Sequence, residues 1–222
     1  MRALLLLSLL AGQAAAQLPY QPFFKAGQSE FGLALGVAQP TGSGGLSSVA
    51  GRGPAVGLEY LRYWTDWTAW GAGLDLDMMG AASDPGPPGR KGKAGLKSFS
   101  LLGRLNLLRE ESWTPYLLAG VGAAIGDVSV TATAAPGTTV CADQGKPAAC
   151  AAQASVSRSA LGPALTAAAG VETFLFQGLS LSLEGRFTEF RLPVSSADFP
   201  VPHGRCQALA IRLGAHLWFG GS

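Results

Sequence analysis

The chain has 222 residues, enough for one large domain or two small ones, and 14% of them are charged, against about 25% in ordinary soluble domains. Its 31 glycines are about twice the usual share of roughly 7%, and its formal net charge is only +2. These values exclude a disordered chain, which needs high charge and few apolar residues, and argue against nucleic acid or an acidic polymer as partner. Past the N-terminus no stretch approaches the roughly 20 consecutive apolar residues of a membrane-spanning helix.

Met1 to Ala16 has the form of a secretory signal peptide. Arg2 supplies the charged region, Ala3 to Ala11 the apolar region, and Ala14, Ala15 and Ala16 the small-residue cleavage site. Cleavage would leave Gln17 first and place the cysteines in an oxidising compartment. The expected organisation is a signal peptide over 1–16, a periplasmic segment over 17–29, a barrel over 30–219 and a tail over 220–222.

Beyond the leader the dominant pattern is apolar alternation with a period of two, which predicts eight strands. The first sets Phe31, Leu33, Leu35 and Val37 against Gly32, Ala34 and Gly36. The second sets Val56, Leu58 and Tyr60 against Gly57 and Glu59; the third sets Trp70, Leu74, Leu76 and Met78 against Asp75 and Asp77. In the fourth, Phe99, Leu101, Leu105 and Leu107 alternate with Ser98, Ser100, Arg104 and Asn106, and in the fifth Leu117, Val121 and Ile125 alternate with Gly120, Gly122 and Gly126. Leu165 and Val171 oppose Thr166 and Glu172 in the sixth, and Leu179, Leu181 and Leu183 oppose Ser180, Ser182, Glu184 and Arg186 in the seventh. The eighth sets Leu209, Ile211, Leu213, Leu217 and Phe219 against Arg212, Gly214 and His216.

The links differ in length in a regular way. Those after strands two, four and six are short; those after one, three, five and seven (Gln39 to Gly53, Ala81 to Leu96, Val128 to Ser159, Leu192 to Arg205) are long. All five tryptophans, Trp64, Trp67, Trp70, Trp113 and Trp218, fall at the short-link end, as in an interfacial aromatic belt. Short turns alternating with long loops, apolar-out alternation and an even strand count describe an all-β, eight-stranded antiparallel up-and-down transmembrane barrel. A soluble β-sandwich predicts neither the loop asymmetry nor the one-ended tryptophans, and a soluble secreted barrel of lipocalin type, the main fold alternative, would carry apolar residues inward and polar ones outward.

The C-terminus resembles the assembly signal of small eight-stranded outer-membrane barrel proteins of the OmpA, OmpX and OmpW type. Arg212, Gly214, Leu217 and Phe219 match its spacing of a polar residue, a glycine and alternating large apolar and aromatic residues, although Gly220, Gly221 and Ser222 follow where that family usually stops. The stretches TPYLLAGVGAAIG (Thr114 to Gly126) and GLSLSLEGRF (Gly178 to Phe187) resemble strands of the same family. The even strand count puts both termini on the periplasmic side, and the resemblance implies a cell outer membrane location, outer-membrane lipid as surroundings and the barrel assembly machinery as a partner during biogenesis.

The inward parity gathers Glu59, Asp75, Asp77, Glu172 and Glu184 with Arg104, Arg186, Arg212 and His216. Arg or Lys facing lipid at mid-membrane costs about 2–4 kcal/mol, so this parity must face the lumen. An eight-stranded interior is just wide enough for side chains to fill, so these groups are expected to interlock as salt bridges in a closed lumen. A narrow polar pore, or a proton-linked path using His216, is the alternative. A lipid-modifying barrel with a Ser–His pair is a third reading; with two histidines and no local catalytic motif, no catalytic residue is assigned.

Cys141 and Cys150 in the longest loop suggest a disulfide that leaves Cys206 over, with pairing through Cys206, or zinc held by the three cysteines and His203, as alternatives. The segment from Asp84 to Lys97 carries Arg90, Lys91, Lys93 and Lys97, which could meet outer-leaflet phosphates or be merely solvated. Its collagen-like Gly86 to Gly92 run is far too short for a triple helix, and Gly120, Gly122 and Gly126 mimic a nucleotide motif with no helix after it. The sequence thus points to a non-enzymatic membrane scaffold, without cofactor or metal. Its long loops would bind a protein, surface or envelope partner, including within a larger envelope complex.

Overall fold

The computed structural model of the chain describes residues 24–41, 46–48, 50–81, 90–108, 112–133, 139–142, 149–151, 153–176, 178–192 and 204–220. The leader, its cleavage site and His203 lie outside these residues. In chain order the strands are β1 (Ser29–Thr41), β2 (Gly53–Tyr63), β3 (Thr68–Met79), β4 (Arg90–Asn106), β5 (Trp113–Thr133), β6 (Val140–Ala142), β7 (Ala149–Ala151), β8 (Gln153–Phe176), β9 (Leu179–Leu192) and β10 (Gly204–Phe219). Eight of them close into an antiparallel barrel in the order β1-β10-β9-β8-β5-β4-β3-β2, each beside its neighbour along the barrel meander. The remaining two, β6 and β7, form a separate two-stranded ribbon. Closure leaves no unpaired edge, which a lipid environment requires because it offers backbone groups no partner.

The wall explains the alternation. Leu35, Leu58, Leu74, Leu101, Val121, Leu165, Leu183 and Leu213, one from each barrel strand, all face outward and are exposed. Their sequence neighbours point inward and include nearly every charged side chain of these stretches. An apolar exterior around a charged interior inverts a soluble barrel and is the arrangement of one that crosses a membrane. Among the described residues no helix is long and apolar enough to cross.

Two expectations need correction. In the links after β3 and within 128–159, residues 90–96, 128–133 and 153–159 are paired barrel strand, not loop: β5 runs for 21 residues and β8 for 24, against 11 for β2. A membrane-spanning strand needs roughly 9–11 residues, so β4, β5 and β8 rise well past the apolar band as one continuous sheet. There the chemistry of the two faces is exchanged. Leu96, Ala94, Val128 and Val130 are buried inside, while Lys91, Lys93, Lys97, Ser155, Ser157 and Ser159 stand outside. The supposed loop lysines are therefore strand residues on the outer wall.

The second correction concerns tryptophan. Trp64, Trp67, Trp70 and Trp113 are exposed at the short-turn end, and the Trp64 and Trp70 rings lie 5.8 Å apart. Trp218 instead turns inward, because on β10 it shares parity with His216, and packs among Phe24, Tyr63 and Phe174 at centroid separations of 5.1–5.4 Å. Phe24, from the segment preceding β1, is fully buried in the same mouth.

Candidate functional site: the filled lumen

Side chains fill the lumen in layers. The cluster of Phe24, Tyr63, Phe174 and Trp218 closes the short-turn end. Deeper in, β4 projects Arg104 across the barrel: Nη1 donates to Glu30 Oε1 at 3.0 Å, Nη2 to Glu172, and Nε to Asn106 Oδ1 at 2.9 Å. Tyr63 donates to Glu30 Oε2 at 3.0 Å. Ser180 donates to Glu172 and itself accepts from Trp218 Nε1 at 2.7 Å, tying the aromatic layer to the ionic one.

A second ionic layer lies beyond. Arg186 donates through Nε to Glu184 at 2.8 Å, through Nη1 to both Asp75 oxygens at 3.1 Å, and through Nη2 to Glu59. Arg212 donates to Asp75 and, at 3.1 Å, to Asp77. Tyr116 joins the layers: the Arg104 guanidinium carbon stands 3.9 Å from its ring centre, and its hydroxyl donates to Glu184 at 3.1 Å. Beyond Asp77 the lumen turns apolar again, closed by Met79, Leu96, Val128, Val130, Phe190 and Cys206.

All nine charged residues expected inside, Glu59, Asp75, Asp77, Arg104, Glu172, Glu184, Arg186, Arg212 and His216, are buried there. They separate into two layers rather than one overlapping set. Asn106, on the inward parity of the fourth strand, completes the layers together with Glu30, Tyr63 and Tyr116, the three that sequence reasoning missed. Each of those three lies on the inward parity just at or past a strand end as read from sequence, so extending the alternation by one or two residues would have found them.

His216 occupies a distinctive place. Its Nε2 is 2.7 Å from Ser182 Oγ, and Nδ1 is 2.6 Å from Glu30 Oε1, an ion-pair contact rather than a well-aligned hydrogen bond. The imidazole fits because Gly32 and Gly214 form the wall beside it: a Cβ on Gly32 would come within 2.6 Å of the ring and one on Gly214 within 2.7 Å of its Nε2. This is the order of groups in a Ser–His–acid relay, but Arg104 and Tyr63 also hold Glu30, and Ser182 is buried in the packed wall. Glu30, Glu172 and His216 also offer atoms within 4.8 Å of one another, a spacing a metal could use. Arg104 already occupies both carboxylates there, so the donor set is an ion-pair cluster.

In the ribbon, Cys141 is the direct register partner of Cys150. Cys206 is a free, buried thiol within the apolar cap.

No protein-family model and no curated protein matches the sequence. Solved structures do. Neisserial surface protein A (NspA) aligns with a TM-score of 0.50 at 14% identity, covering 87% of this chain and 98% of that one. The outer membrane protein OprG of Pseudomonas aeruginosa gives 0.49 at 9% identity (89% and 98% covered), and the attachment invasion locus protein Ail of Yersinia pestis 0.47 at 12% (87% and 99%). The chain has the fold of the small eight-stranded outer-membrane barrels. At these identities the likeness is one of fold.

Proposed function

We propose that the protein is a closed, non-enzymatic scaffold of a Gram-negative-type outer membrane. Both termini lie in the periplasm, and the tall β4–β5–β8 sheet outside presents a surface to a protein, surface or envelope partner, including within a larger envelope complex. On this reading residues 1–16 are removed as a signal peptide. Arg212, Gly214, Leu217 and Phe219 meet the barrel assembly machinery. A Cys141–Cys150 disulfide staples the β6–β7 ribbon, which the register of the two residues supports.

The observation that carries the reading is the filled lumen: two interlocked ionic layers between an aromatic and an apolar cap. A channel needs a continuous watered path, and here each guanidinium that might line one is spent on carboxylates across the barrel. Planar-bilayer recording is the test. Negligible single-channel conductance is expected, and steady ion-selective openings would overturn the scaffold in favour of a narrow pore. The enzymatic alternative has one observation of its own, the Ser182–His216–Glu30 arrangement. Ser182 is expected to stay unlabelled by a fluorophosphonate probe; labelling abolished by Ser182→Ala would promote catalysis.

A further inference from the structure

The lipid-facing wall is not smooth. Where β1 meets β10, a groove of about 590 Å³ runs between Leu35 and Val37 on one side and Ile211 and Leu213 on the other. Its upper end, toward the tall sheet, is closed by Gln39 and Arg52. The register explains the placement: Leu35 faces Leu213, Val37 faces Ile211, and the next outward residue of β1 is Gln39. Arg52, just before β2, donates from Nε to Gln39 Oε1 at 3.0 Å. Among the described residues it has no carboxylate within ion-pair distance, and it is exposed. An unneutralised guanidinium at the rim of an apolar slot is the complement of an amphiphile with an anionic head.

A second wall groove, of about 360 Å³, supplies the contrast. Lys97 tops it, above Leu58, Leu74 and Phe99, but the Lys97 ammonium lies 3.4 Å from Asp127 and is already paired.

We infer that the groove beneath Arg52 seats an acyl chain of an outer-leaflet lipid whose phosphate headgroup is held by the Arg52 guanidinium. The inference rests on the outer-membrane reading, which puts this rim at the level of the outer-leaflet headgroups. A guanidinium donates two parallel hydrogen bonds to a phosphate through its two terminal nitrogens, and the bond to Gln39 uses only Nε. The apolar slot below removes part of the chain from fluid lipid and gives the site a shape as well as a charge.

The test uses the full mature chain refolded into phosphatidylcholine vesicles containing a minority of phosphatidylglycerol. It is then extracted in mild detergent, and its bound lipids are counted by native mass spectrometry. The wild type is expected to retain phosphatidylglycerol in preference to phosphatidylcholine. Arg52→Gln should lower that retention about fivefold, the effect of about 1 kcal/mol for one basic residue at an anionic surface. Ile211→Trp, which fills the slot and leaves Arg52 intact, should also lower it, whereas Lys97→Gln should not. Excess inorganic phosphate should leave the bound lipid in place. Equal retention by the wild type and Arg52→Gln, an unaffected Ile211→Trp, or displacement by free phosphate would each overturn the site. All three substitutions lie on the outer wall, and the gel-mobility shift of unheated barrels reports that each variant has folded. A wild type that fails to enter vesicles would instead overturn the membrane reading itself.

Discussion

Two parts of the same wall obey opposite rules. In the membrane band, outward residues such as Leu35 and Leu213 are apolar and the inward ones form the ionic layers. In the tall sheet above it, Lys93 and Ser157 face outward while Leu96, Val128 and Val130 fill the interior. The strands β4, β5 and β8 run through both zones without a break, so the period of two is unchanged. Only the solvent outside changes, from hydrocarbon to water. Geometry therefore sets which residues share a face, and the surroundings decide which chemistry that face must carry.

The ionic layers of the membrane band are the most sensitive part of the wall. Replacing Arg186 with Ala would leave Glu59, Asp75 and Glu184 without their shared cation, at a cost of about 3–5 kcal/mol in the fully desolvated limit. Urea unfolding of the vesicle-inserted barrel should show that loss. Arg212→Ala should cost somewhat less and lower the unfolding temperature, because Asp75 keeps its bonds to Arg186.

A charge placed outward separates the two zones directly. Leu213→Arg, in the band, should destabilise by about 2–4 kcal/mol, whereas Ser157→Arg on the tall sheet should stay within about 0.5 kcal/mol of wild type. Equal penalties at the two positions would refute the boundary between zones.

Inside the tall sheet the driving force is ordinary burial. Val130→Ala removes two buried carbons and is expected to cost about 1.5 kcal/mol at ~0.8 kcal/mol each, seen in the same unfolding assay. No change would mean that this interior is wet. The smallest effect concerns the tryptophans. Trp218→Phe forfeits the hydrogen bond to Ser180, worth about 0.5–1.5 kcal/mol, while exposed Trp64→Phe should leave stability unaltered. Fluorescence quenching by a water-soluble quencher would show Trp218 protected once the tyrosine-flanked mouth is folded.

How far the sequence could be read follows from this exchange of faces. Strands lying wholly in the band, such as β2 and β3, are plain in the alternation of Leu58, Tyr60, Leu74 and Leu76 with Glu59, Asp75 and Asp77. The upper reaches of β5 and β8 carry an equally regular pattern, Val128 and Val130 against Ser129 and Thr131. Because its sense is reversed, the stretch resembles a polar loop to a reading that expects apolar residues outside. Trp218 was misplaced for a related reason: proximity to the membrane interface in sequence does not say which side of the wall a side chain takes, and its parity with His216 does.

Sequence alone specified the closed eight-stranded barrel, its lipid-facing side and nine of the charged residues of its lumen, but not Glu30. Period-two alternation is a local property of an extended chain, and only one parity can afford charge in a membrane. The partners were decided by the tertiary structure. Arg104 meets Glu30 and Glu172 across 74 and 68 residues, and Arg186 meets Asp75 and Glu59 across 111 and 127. Such pairings depend on the shear and tilt with which the barrel closes, which no short stretch of sequence records. The same closure set Gly32 and Gly214 beside His216 and brought Arg52 to the head of a groove lined by the opposite end of the chain.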